Sequence, residues 1–125
     1  MTMNSGLMAY RQSSVETATP GQLIVMLYDG VLTALDKAAT ALRGRPDIET
    51  SHSEFTRAQA IIMELLATLD ISAGPVAHSL AALYEYCHSQ LVKANVAKDF
   101  APADPVRVIF ADLRDAWVEV TGGEV

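Results

Sequence analysis

The side chains in this chain that could do chemistry are few, and the first question is whether any of them can act together. Glu85 with His88, and Glu49 with His52, repeat the Glu-x-x-His spacing. In a four-helix bundle two such pairs, completed by a Glu from each remaining helix, can hold a pair of metal ions. On a helix turning roughly 100° per residue, however, Glu85 lies about 150° and His88 about 100° from the face that carries Leu80, Tyr84, Cys87 and Leu91, so both point outward. Glu49 falls in a stretch bounded by Pro46 that reads as a loop. Neither spacing converges on a core, and no metal or other cofactor is expected. Cys87 beside His88 is no better as a nucleophile and base, because helix neighbours diverge and Cys87 sits on the apolar face, where burial raises a thiol pKa. His78 has no partner at ligand or triad spacing and reads as a surface residue. With no Gly-rich phosphate loop, no nucleophile elbow and no paired carboxylates in a cleft, the chain is not expected to be an enzyme.

The elements that carry these residues are all helical. Residues 19–42 read as one long helix: Thr19 is suited to cap it, and Pro20 fits the first helical position, where no N–H is needed. Leu23, Leu27, Gly30, Val31, Ala34, Ala38 and Ala41 fall on one face, with Gln22, Asp29, Thr33, Asp36 and Thr40 opposite. Gly44 and Pro46 mark a loop. A second helix is predicted from near Ser51 or Ser53 to about Ile71, with Phe55, Ala58, Ile62, Leu65, Leu66 and Leu69 as its core face. Pro75 opens a third, with Val76, Leu80, Leu83, Tyr84, Cys87, Leu91 and Ala94 inward, fading near Asp99. After a turn at residues 101–105, a fourth helix with Asp104 as N-cap and Pro105 first buries Val106, Ile109, Phe110, Leu113, Ala116, Trp117 and Val120, and Gly122 and Gly123 stop it. No stretch shows the period of a strand. The fold class predicted is all-α, an antiparallel up-down-up-down four-helix bundle over residues 19–125, preceded by a flexible N-terminal arm at residues 1–18 that lacks a sustained period.

Composition narrows the function classes. Net charge is −6, and nine Lys and Arg are scattered along the chain, so no basic stripe offers itself to a phosphate backbone and nucleic acid is not an expected partner. The single cysteine excludes an internal disulfide framework and suits a reducing compartment. No basic region followed by an apolar run opens the chain, and the longest purely apolar run, residues 23–28, is far short of the ~20 residues of a membrane span. A soluble cytoplasmic protein without membrane insertion is expected.

The first helix has more apolar surface than one core requires. Ile24, Tyr28, Leu32, Leu35 and Ala39 form a flank beside the core face, and the second helix repeats this with Ala60, Met63 and Ala67. One reading is a wide core. The other is a groove for a partner helix or extended chain, since Met adapts its shape and Tyr combines an apolar ring with a hydroxyl. On the second reading Ile24, Tyr28, Leu32, Leu35, Met63 and Ala67 bind the partner. Leu7, Met8, Tyr10 and Val15 of the arm, too few for a core of their own, would fold back over the groove, and an open groove would permit weak self-association.

Residues 19–30, TPGQLIVMLYDG, resemble the most recognisable stretch of the flagellar export chaperone family that holds flagellin in the bacterial cytosol, and Tyr10 lies upstream as that family's tyrosine does. RAQAIIMELLATLD at 57–70, LAALYEYCHSQLVKAN at 80–95 and LRDAW at 113–117 are similar to its later helices in order and spacing. Ala73-Gly74-Pro75-Val76-Ala77 stands where the family often has Gly-Gly-Glu-Ile-Ala, and Cys87 where a Met is common. The resemblance implies a helical bundle that binds the disordered C-terminal region of flagellin, Tyr10 included in the contact. It would prevent premature polymerisation and present the client to the type III export gate. A helical adaptor or type III secretion chaperone with a different client is the alternative.

Overall fold

The computed structural model describes residues 18–121, and all its regular structure is helical. Helix α1 spans Pro20–Leu42. Its start follows from local chemistry: the Thr19 hydroxyl accepts from Gln22 N–H while the Gln22 side chain accepts from Thr19 N–H, a reciprocal capping box. Helix α2 spans Ile48–Thr68, three residues earlier than the first of the two predicted starts and short of the predicted end. Asp47 caps it by accepting from both the N–H and the hydroxyl of Thr50, so Glu49 lies in the first helical turn rather than in a loop. A 3₁₀ turn, Ile71–Ala73, leads to α3, Pro75–Ala97, which ends at Lys98 in the left-handed region (φ 53°). A second 3₁₀ turn, Ala101–Ala103, runs directly into α4, Asp104–Val120. Asp104 is therefore the first residue of α4 and not its cap, because the turn already holds the backbone in helical conformation.

The helices close on one core. Tyr28, Val31, Leu35 and Ala38 of α1 meet Phe55, Ala58, Ile62 and Leu65 of α2, Tyr84, Cys87 and Leu91 of α3, and Val106 and Phe110 of α4. Tyr28 is the hub: its ring lies edge-on to Phe110 at 5.6 Å and to Trp117 at 6.1 Å, and its hydroxyl sits 2.6 Å from that of Tyr84. This corrects two placements, since Tyr28 and Leu35, assigned to an open flank, are both fully buried. Conversely Val76 and Val120, assigned to the core, are 74% and 83% exposed, and Ala116 is exposed as well.

Neighbouring helices are tied differently. Gly21 faces Thr121, Asp29 accepts from Arg114 at 2.8 Å, and Asp36 takes a two-pronged contact from Arg107, so α4 runs antiparallel along α1. Between α2 and α3, the amide of Asn95 meets Nδ1 of His52 at 3.1 Å while the Lys98 ammonium donates to the Asn95 carbonyl oxygen. Helix α4 barely touches α3, and that gap shapes the site.

Candidate partner-binding groove

Where α4 follows α1 instead of closing on α3, the end of the bundle stays open. The N-terminal turns of α1 and α3, the C-terminal end of α2 and Trp117 of α4 surround an apolar groove of about 810 Å³. Leu23, Ile24, Met26 and Leu27 form one wall, Leu69, Val76, Ala77 and Leu80 another. Two glycine and proline positions make this possible. A Cβ at Gly21 would stand 2.5 Å from the methyl of Thr121, the residue that caps the end of α4, so any larger residue there forces that side chain to shift. Pro75 at the first position of α3 turns the chain sharply after Gly74 (φ 119°), which leaves Val76 projecting beside the groove.

Of the residues assigned to partner binding from sequence, Ile24 lines this groove, half-buried and packed against the core from below. Leu32 is half-buried against the core farther along α1, outside the groove. Met63 is 52% exposed and Ala67 is exposed; neither lines the groove. Tyr28 and Leu35 belong to the core, Leu35 about two turns farther along α1 than the groove. Tyr10 lies outside the described residues. Sequence reasoning missed Trp117, Leu80 and Leu69 as groove residues because their spacing is that of core positions; nothing in the periodicity separates a side chain that meets a neighbouring helix from one left facing a gap.

The polar chemistry lies elsewhere. Cys87 is fully buried, and burial pushes its thiol up to about 11, the direction opposite to that of a nucleophile at neutral pH. Burial likewise raises the phenols of Tyr28 and Tyr84. The ring of His52 is engaged by Asn95, Glu85 is exposed and His88 half-buried. Among the described residues no group of three or more His, Cys, Asp or Glu could hold a metal ion, and no helix is long and apolar enough to cross a membrane. What this arrangement can do is cover apolar side chains of another chain. Burying one large aliphatic or aromatic side chain is worth about 1.5–3 kcal/mol, and the groove has room for several.

Over residues 3–124 the chain matches the family model described as flagellar protein FliS. It is 37% identical over 124 residues to the flagellar secretion chaperone FliS of Bacillus subtilis strain 168, covering 99% of this chain and 92% of that protein. To the protein of the same name from Campylobacter jejuni it is 35% identical over 125 residues, 99% of this chain and 97% of the relative. The corresponding figures for the Salmonella typhimurium protein are 34% over 123 residues, with 94% and 90% covered.

Proposed function

Because this chain belongs to the flagellar protein FliS family, we propose that it is a flagellar export chaperone of the cytosol. Its client would be the disordered C-terminal region of flagellin, which it keeps from polymerising early and delivers to the flagellar type III export apparatus. The family is a chaperone family and not an enzyme family, in keeping with a bundle that presents an apolar groove. The observation that carries the reading is that groove: an apolar face of a subunit destined for a filament aggregates unless complementary apolar surface covers it, and Leu23, Ile24, Leu27, Leu80 and Trp117 supply such surface. A client longer than the groove would continue over the outer face of α2, where Met63 and Ala67 are exposed.

Calorimetric titration of the full chain with a flagellin C-terminal fragment tests this. One-to-one binding with a negative heat-capacity change is expected, because apolar surface is buried. Val76→Asp should weaken it at least tenfold without unfolding the bundle, since Val76 lines the groove yet is 74% exposed. Absence of binding, or unchanged binding in the Val76→Asp variant, refutes the assignment of the groove to flagellin.

A further inference from the structure

The groove has a polarity that its apolar lining hides. Among the described residues its only charged lining side chains are Glu64, in the last turns of α2, and Asp70, which caps the 3₁₀ turn just after it, and no Lys, Arg or His lines it. Asp29 and Asp36, by contrast, meet Arg114 and Arg107 across the α1 and α4 boundary. Glu64 has no such partner among the described residues, and exposed Asp70 uses its Oδ1 on the N–H and hydroxyl of Ser72, which leaves Oδ2 without a partner in those two contacts. The last turn of α2 carries no basic residue, and the N-terminal turns of α1 and α3, which also border the groove, carry the opposite partial charge, so the negative character is confined to the rim where α2 ends.

We propose that the segment seated in this groove is an amphipathic helix that presents Lys or Arg beside its apolar anchors, and that Glu64, Asp70 and the end of α2 set its register by pairing with those cations. The inference rests on the groove being the client site and names the chemistry that site selects. Apolar contact alone tolerates a slide of one helical turn, because successive turns present similar faces. A cation placed against one rim does not, since a slide leaves it without its partner or drives it into apolar surface. The same charges argue against a second copy as occupant: the chain carries −6, and an acidic rim repels an acidic face.

The chain has one tryptophan, Trp117, in the groove wall, so its emission reports occupancy directly. The full chain is titrated with two synthetic helical peptides that share Leu at i, i+3, i+4 and i+7 and differ only in flanking residues, Lys in one and Glu in the other. The Lys-flanked peptide should bind roughly ten times more tightly at low salt, and the difference should shrink at high salt as the rim charges are screened. Glu64→Gln with Asp70→Asn should remove most of that preference. The amide that replaces the Asp70 carboxylate keeps an oxygen for Ser72, so the turn survives, and circular dichroism checks it. Equal binding of the two peptides, or a preference indifferent to the double substitution, overturns the proposal. A peptide response seen only after residues 1–17 are removed assigns the groove of the intact chain to its own N-terminal segment and also overturns it. So does a concentration-dependent change in Trp117 emission without peptide, which would place a second copy there. The two readings fail separately. If the flagellin fragment binds the double variant as tightly as the parent, the acidic rim is wrong and the chaperone reading stands. If the fragment never binds while the Lys-flanked peptide does so in the charge-dependent way, the rim is supported and the client is wrong.

Discussion

The hydroxyls of Tyr28 and Tyr84 make the sharpest test of how this bundle is held together. They lie 2.6 Å apart with both residues essentially inaccessible, at 0% and 2% exposure, and either can donate. Replacing one of them with Phe removes a partner and leaves the other hydroxyl buried without a hydrogen bond, at a cost of about 1–3 kcal/mol. Replacing both removes two polar groups that satisfied only each other, and the rings still pack on Phe110 and Trp117, so the double variant should lie within about 1 kcal/mol of the parent. With each single variant near 2 kcal/mol, the coupling across the cycle comes to about −3 kcal/mol. Urea unfolding followed by helical circular dichroism measures it; midpoints should move while the slope stays constant. Losses that simply add, with the double variant worse than either single one, would show that the two hydroxyls are not each other's partners and refute the argument. The same proteins separate two views of Tyr28. Placed in the core, it should leave binding of the flagellin fragment unchanged in the double variant, whereas a stable variant that no longer binds would return Tyr28 to the partner surface.

Three further outcomes follow from particular contacts. Gly30→Ala should stabilise the chain by up to about 1 kcal/mol through helix propensity, since its Cβ would meet only the movable Ile61 Cδ1 at 3.0 Å, whereas Gly21→Ala should gain nothing and shift Trp117 emission, because the Thr121 methyl stands in the way. The folded-state pKa values of Cys87, at about 11, and of Tyr28 and Tyr84 lie above their ordinary values, so their contribution to stability is complete below pH 9 and is lost as pH rises through the folded values; the unfolding midpoint should fall in the alkaline range, and disulfide reagents should label Cys87 at pH 8 only after urea is added. Asp36 is held below its ordinary range chiefly by the hydrogen bond from Arg107, so that pair stabilises above about pH 4 and is lost as pH falls through the folded value; Arg107→Ala should cost less than about 1 kcal/mol near neutral pH and nothing in high salt, since both side chains are largely exposed.

Helix starts and stops are short-range chemistry, and the sequence alone determined the ones whose signals stand together. Thr19 and Pro20 settle the beginning of α1, with the Gln22 half of the capping box seen only in the structure, and Pro75 after Gly74 does the same for α3. The start of α2 escaped because Pro46 draws attention as a loop marker, although Asp47 with Thr50 three positions on is itself a cap. Helical periodicity likewise determined four apolar faces and hence a bundle. It could not determine which edge of a wide face turns inward. Tyr28 and Leu35 lie on the same broad stripe as Leu23 and Leu27, and the angle at which α1 presents that stripe depends on where its neighbours sit. Only the packed chain decides this: Gly21 admits the end of α4, Arg107 and Arg114 hold that helix along α1, and α3 is left uncovered at Val76 to Leu80. The groove is made of absence, a place where two helices fail to meet, and pairwise distances between helices far apart in sequence are not written in the period of either one.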